Sequence, residues 1–322
     1  MLKGSIRNYP IIAKFLILVG LFLIGEFFFT LLSIGLIQLL FPSAGFYHFM
    51  EHLPEIKSVD EISPQQINGL KIFQLITSLG RFLCVPLFFI YLNGQQFIRS
   101  LHLDKKINSF SILLIIMIMF TAPGVINIIT EWNQQISFPS AFKPVEDMMR
   151  NSEEMAKVQT DAFLSTGTIT GLLLNILIVG LVAALGEEIL FRGILQNLFW
   201  RWTKKIHVAI WISAFIFSFI HFQFFGFFPR LLLGALLGYL YYWSGSLWAS
   251  IAAHFVNNTA SVIAYFLLQR NVIEDNLTES SSWVAALISL PFVILLLVVF
   301  KRRQTKPLEL YGEGMDDDLL NT

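Results

Sequence analysis

Charge is what this chain has least of. Of its 322 residues 14% are Asp, Glu, Lys or Arg, against roughly 25% in an average soluble domain. The hydrophobic share is 55%, and the mean hydropathy is +0.67. That balance excludes a soluble globular enzyme and a disordered chain. Neither sign of charge is in excess, with 22 Lys+Arg against 22 Asp+Glu. The basic footprint of a nucleic-acid binder is therefore missing, and no nucleic-acid partner is expected. Cysteine is nearly absent as well. Cys84 alone excludes a disulfide framework and any cysteine-based zinc site. No internal repeat and no low-complexity linker breaks the chain. What fills it is phenylalanine, 32 residues, and long apolar runs.

A bilayer core of about 30 Å takes roughly 20 apolar residues in a helix. Eight stretches reach or approach that length, at about 11–41, 69–92, 110–130, 168–200, 208–228, 231–243, 247–268 and 282–300. The sixth is the shortest. The fourth exceeds one crossing, so it must tilt, bend or protrude. The first is about twice the length of a signal-peptide core and lacks a following small-residue cleavage site. The expected fold is an all-α polytopic membrane protein of about eight transmembrane helices with a polar cavity inside the bilayer. Three parts are expected. Residues 1–165 carry three spans with polar outer loops, 166–268 a four-span catalytic core, and 269–322 the last span and a tail. Basic residues set the orientation. With the N-terminus inside, inner segments hold thirteen Lys and Arg, among them Arg99, Lys105, Lys204 and Lys301, and outer segments six. Both termini are thus expected in the cytoplasm, in an integral protein of the plasma membrane. The tail carrying Asp316, Asp317 and Asp318 reads as disordered.

Ionisable groups within spans each cost about 2.5–3.5 kcal/mol on insertion scales, which makes them functional candidates. Glu26 in the first span and Arg81 in the second are opposite charges at similar depth, and a structural ion pair is expected. A second concentration is richer. Glu187, Glu188 and Arg192 lie in the fourth span, Phe217 and His221 in the fifth, and His254, Asn257 and Asn258 in the seventh. Together they cost roughly 10 kcal/mol on the same scale, comparable with the stability of a whole domain.

Their spacing suggests chemistry. Glu188 and Arg192, four apart, share a helix face in the favourable acid-first order. Adjacent carboxylates in a low-dielectric setting resist ionising together. With Arg192 holding Glu188 ionised, Glu187 is left to exchange a proton, as a general acid/base must. His254 and Asn258 also project together, an imidazole and an amide suited to an oxyanion or a substrate carbonyl. Phe217 and His221 repeat the spacing, and His221 is placed to share a water with Glu187. Such a set suits peptide-bond hydrolysis. Straight helices, however, leave His254 roughly 10 Å of depth away from Glu187 and His221. A tilt or a break near Gly186 would close that gap.

Three motifs in this order, Glu-Glu-x-x-x-Arg, Phe-x-x-x-His and His-x-x-x-Asn, resemble those of the CPBP family of CAAX proteases and bacteriocin-processing enzymes, which includes the type II CAAX prenyl endopeptidases. The resemblance covers about 172–260. It implies that Glu187 with His221 activates water and that His254 and Asn258 form the oxyanion site. Glu188, Arg192 and Phe217 would support them. The implied partners are membrane lipid and a membrane-associated or lipidated peptide substrate. No cofactor is favoured. Zinc on Glu187, His221 and His254 is the alternative, a His₂Glu set with an open position, although no His-Glu-x-x-His string occurs.

Other readings are set by what is missing. No aspartate lies in any span, which removes a two-aspartate intramembrane protease, and no Gly-x-Ser-x-Gly string supports a serine enzyme. A proton-coupled carrier would usually show repeats and paired broken helices. A non-catalytic scaffold or immunity protein is the other rival. His48-Phe49-Met50-Glu51-His52 spells the inverzincin string but lies between Pro42 and Pro54 with no soluble domain, and reads as chance. His102 and His207 read as ordinary interfacial side chains. The phenylalanine-rich 222–228 reads as lipid-facing packing or a membrane gate.

Overall fold

The computed structural model describes residues 2–273, 283–304 and 307–308. Among the described residues it is helical throughout and has no strand, so the expected fold class is the one found. The tail aspartates lie outside the described residues.

α1 (Ile11–Leu40) and α2 (Pro64–Leu92) pack against each other. α2 starts earlier than its apolar run because Ser63 and Gln66 form a reciprocal cap with Pro64 in the first turn. α3 (Ser109–Gln134) follows, then α4 (Lys143–Leu164), an amphipathic helix inside what the sequence suggested was a polar loop. The chain returns through α5 (Ile169–Thr203), α6 (Ile206–Phe219), α7 (Phe227–Ser244), α8 (Leu247–Gln269) and α9 (Trp283–Arg303). Seven of these are long and apolar enough to cross a membrane, α7 together with its leading turn from Phe224, and α6 is a shorter apolar helix. In their most apolar windows α1 and α9 are each 11% buried against 50% for α2. The exposed faces of α1 and α9, with Phe27, Phe28, Leu287 and Leu295 among them, are apolar surfaces of the kind that a membrane covers. In the interior α2, α5, α6 and α7 contribute Phe82, Phe191, Phe217 and Tyr241 to one apolar cluster, which Leu247 and Ile251 of α8 join.

The expected ion pair between the first two spans forms, and it is half-buried. Arg81 Nε lies 3.0 Å from Glu26 Oε2, at side-chain exposures of 23% and 40%, and Arg81 also donates to the Thr77 carbonyl at 3.2 Å. His102 differs from expectation. It is buried, adopts a left-handed φ of 56°, and its Nδ1 meets the Tyr241 hydroxyl at 2.8 Å.

Among the apolar helices of the described residues, the shortest is the fifth segment rather than the sixth. α6 has 14 residues, a length of about 21 Å against a core of about 30 Å. The phenylalanine run divides at this point, its second half opening α7, and Phe222 turns into the left-handed region at φ 53°. Residues 220–226 are therefore mostly non-helical chain at the depth of the spans, where backbone groups need protein partners. Asn133 of α3, fully buried, supplies two of them. Its Nδ2 donates to the Phe224 carbonyl at 3.1 Å, and its Oδ1 accepts from the Phe228 N–H at 3.0 Å. α4 lies over the same turn, with the Arg150 guanidinium 4.4 Å above the Phe225 ring. The segment is thus partly exposed at Phe222 and partly covered at Phe225.

Glu146 anchors α4 by accepting from the Phe138 N–H at 3.0 Å and from Arg150 Nε at 2.8 Å. Those two donors, in that order, hold its carboxyl below the ordinary carboxylate range. The sign follows from linkage. The contribution is fully present above the ordinary carboxylate pKa and is lost as pH falls through the lower folded value.

Asn133→Ala leaves the Phe228 N–H without its side-chain acceptor, at about 1–3 kcal/mol, and takes one of two donors from the Phe224 carbonyl, which keeps the Phe227 N–H. The expected outcome is a clear drop in the thermal unfolding temperature of the purified protein. An unchanged midpoint would show that the turn does not depend on Asn133.

Candidate active site

Backbone irregularity marks the level of the polar cluster. Two stretches of α5, Ile176–Val182 and Ile189–Gln196, widen into π-helix, and α2 does so over Gly80–Cys84. Such widenings in α-helices occur frequently at functional sites. Glu187 and Glu188 sit between the two widened stretches of α5. The residue before them must be glycine-sized, since a Cβ at Gly186 would lie 2.6 Å from the Phe82 Cβ of α2.

Glu188 and Arg192 are buried to 0% and 1% side-chain exposure and pair at 2.5 Å. Arg192 Nη2 donates to the Gly234 carbonyl of α7 at 2.9 Å, and one turn on Gln196 Nε2 donates to the Gly238 carbonyl at 3.3 Å. Glycines four apart on α7 let the side chains of α5 reach that backbone. The same Glu188 Oε1 meets His254 Nδ1 of α8 at 2.8 Å. A carboxylate oxygen accepts, so His254 donates through Nδ1 and turns Nε2 toward Glu187, whose Oε2 is 3.8 Å away. Glu187 is the more accessible of the two acids, at 14% side-chain exposure against 0%.

Phe217 joins the three motifs. The Arg192 guanidinium lies 4.8 Å over its ring, and the rings of His221 and His254 approach edge-on with centroids at 5.2 and 5.9 Å. His221 Nδ1 donates to the Phe217 carbonyl at 2.7 Å, which leaves Nε2 as its electron-pair donor. Asn258 donates from Nδ2 to the Val179 carbonyl, within a widened stretch of α5, at 2.9 Å. Its Oδ1 accepts from Asn257 at 3.2 Å.

The structure brings Glu187, Glu188, Arg192 and His254 into direct contact and seats Phe217 against the group. The imidazole beside Glu187 is that of His254. Glu187 and His221 make no direct hydrogen bond or ion pair, so any link between them runs through a bridging group. The depth gap anticipated between His254 and the acids is closed, with the backbone widening at the level of Glu187.

The donor types of Glu187, His221 and His254 suit zinc, and each histidine already has its Nδ1 fixed by a second group, as metal-bound histidines do. Their spacing does not suit it. Among the described residues, the group of three His, Cys, Asp or Glu whose ligand atoms fall within 4.8 Å of one another is His48, Glu51 and His52, in the α1–α2 connection. In the arrangement seen, the ligand atoms of Glu187, His221 and His254 do not all come within that distance of one another.

Sequence reasoning missed Gly234, Gly238 and Asn133. A Gly-x-x-x-Gly string was the available signal for the first two. Asn133 had none beyond being an amide at the end of an apolar run.

Residues 169–260 match the family model of type II CAAX prenyl endopeptidase Rce1-like proteins. The matched segment runs from the first turn of α5 into α8 and contains Glu187, Glu188, Arg192, Phe217, His221, His254 and Asn258. The resemblance read from the motifs falls on the same helices. A curated relative, the uncharacterized protein YpbD of Bacillus subtilis (strain 168), is 33% identical over 86 residues. Those residues are 26% of this chain and 41% of that protein, so the chain spans less than half of the relative's length. No solved structure matches.

Removing one member of a buried ion pair strands the other and costs roughly 3–5 kcal/mol. Arg192→Ala is therefore expected to destabilise the purified protein far more than Glu26→Gln, whose pair is partly exposed. Thermal unfolding of the two variants side by side checks this, and equal shifts would contradict it.

Proposed function

We propose that the protein is a membrane-embedded endopeptidase of the CAAX prenyl protease kind, cleaving a membrane-associated or lipidated peptide with water activated by glutamate and histidine. The observation that carries this reading is the convergence of three motifs, from α5, α6 and α8, on His254 and Phe217 within an apolar helix bundle. Buried, mutually bonded acids, imidazoles and a guanidinium are costly in that setting. The segment that contains them is similar to a family named for peptide-bond hydrolysis, and that likeness supports the reading.

The residues divide the work as follows. Glu187, partly accessible, takes the proton from water as its oxygen attacks the scissile carbonyl, and returns it to the leaving amine when the C–N bond breaks. His221, with Nε2 unprotonated, accepts a hydrogen bond from the same water. The tetrahedral oxyanion is met by donors from α8. His254, when protonated, donates through Nε2, and Asn258 retains one amide N–H besides that given to Val179. Glu188 and Arg192 do not touch substrate in this scheme. Glu188 fixes the tautomer and direction of His254, and Arg192 holds that carboxyl group in place. The mechanism needs no metal. The protein would work in the plasma membrane with both termini in the cytoplasm.

Glu187→Gln is expected to lower kcat by roughly 10²–10⁴-fold, the usual worth of a general base, while the protein stays folded. The measurement uses reconstituted protein and a mixed library of plain and prenylated peptides, read by mass spectrometry with and without chelator. Full activity in Glu187→Gln would sink the assignment. Cleavage lost with chelator and restored by zinc would replace the metal-free mechanism. A wild type that cleaves nothing in the library would favour the scaffold or carrier.

A further inference from the structure

The connection between α1 and α2 carries a cluster that the peptidase reading does not use. Residues Phe46–His52 form a short helix, so the His48-Phe49-Met50-Glu51-His52 string has the helical context it lacked as a bare sequence. Its inner face is fixed by Phe46 and Phe49, exposed to 0% and 4%, in an apolar cluster with Val158 and Ala162 of α4. The alternation of a helix then directs His48, Glu51 and His52, at i, i+3 and i+4, to the opposite face. His48 and Glu51 have side-chain exposures of 77% and 62%.

One ligand atom from each of these three residues lies within 4.8 Å of the other two. The imidazole rings of His48 and His52 have centroids 4.0 Å apart, and His48 Nδ1 is 4.0 Å from Glu51 Oε2. His52 is oriented further, since its Nδ1 donates to the His48 carbonyl at 3.0 Å. That bond fixes the ring and makes Nε2 the nitrogen that faces a ligand, the arrangement that backbone carbonyls give to metal-bound histidines. Metal bonds of about 2.1 Å put neighbouring ligand atoms roughly 3–4 Å apart. Rotation of exposed side chains is enough to close the set. Two imidazoles and a carboxylate select borderline divalent cations over calcium or magnesium.

We propose that His48, Glu51 and His52 form a surface site for one divalent transition-metal ion of the zinc, nickel and copper group, with its remaining coordination positions open to water. Ions bridging residues one turn apart hold the short helix closed, and with it the seat that Phe46 and Phe49 make on α4. The site is separate from the Glu187–His254 cluster and does not depend on the peptidase reading.

The test uses the full chain in detergent, purified without a histidine tag and stripped with chelator. Isothermal titration with Zn²⁺ measures stoichiometry, and Cu²⁺ electron paramagnetic resonance reads imidazole nitrogen coupling. One equivalent per chain is expected, with nitrogen coupling and a rise in unfolding temperature on metal addition. His48→Ala and His52→Ala should each weaken binding by roughly tenfold or more and abolish that rise. His48 is exposed and His52 half-buried, and neither belongs to the apolar cluster beneath them, so the metal-free variants should unfold close to the wild-type temperature. Glu187→Gln should bind as wild type does. No uptake, uptake unchanged in His48→Ala and His52→Ala, or uptake lost in Glu187→Gln would each overturn the proposal.

Discussion

One carboxylate oxygen, Oε1 of Glu188, organises the centre of this protein. It accepts from Arg192 of its own helix and from His254 of α8, while Arg192 reaches on to the backbone of α7. A buried charge must be paired and hydrogen-bonded or it becomes prohibitively expensive. The pairing requirement therefore fixes the relative positions of α5, α7 and α8. Packing alone would not, because lipid tails are as apolar as the side chains that line these helices. The same oxygen sets the direction of His254 and so decides which imidazole nitrogen faces Glu187. Structural necessity and chemical orientation are here a single contact.

Around it, backbone groups do work usually given to side chains. The widened stretches of α5 bring Glu187 and Glu188 level with α8, and Asn258 donates to a carbonyl within one of them. Gly234 and Gly238 open α7 to Arg192 and Gln196. Asn133 satisfies the turn after α6 from a helix far away in sequence, at 91 and 95 residues' separation. Each of these side-chain amides binds backbone that regular helix has left free or exposed. The bundle can therefore hold irregular chain at membrane depth.

Much of this was legible in the sequence because its signals are local. Apolar runs of about 20 residues mark most of the spans. Opposite charges at similar depth identify Glu26 and Arg81 as partners. The fourfold spacings place Glu188 with Arg192 and bring Phe217 beside His221. What escaped depends on geometry that spacing does not carry. Depth arithmetic assumes a straight helix with a uniform rise, and α5 is not uniform, so His254 rather than His221 stands directly against Glu187. Hydropathy does not separate an apolar turn from an apolar helix, so the end of α6 at Phe219 was hidden inside the phenylalanine run. α4 was missed for the opposite reason. Its composition is polar, and its apolar positions are too few to raise an average. His102 looked interfacial beside basic residues, and only the fold brings Tyr241 to it.

The length of α6 has a further meaning. It is followed by a turn and preceded by α5, which has 35 residues, so one of the longest and the shortest apolar helices of the protein are neighbours joined by a tight connection. A bilayer thick enough to cover α5 leaves the end of α6 under-matched, and one thin enough to suit α6 forces α5 to tilt or protrude. Hydrophobic mismatch costs fractions of a kcal/mol per Å and is relieved by bending lipid, helix or both. Whichever way it is relieved, the adjustment falls between α5 and α6, the helices that carry Glu187 and lead into His221, and membrane thickness becomes a variable acting on the cluster from outside the protein.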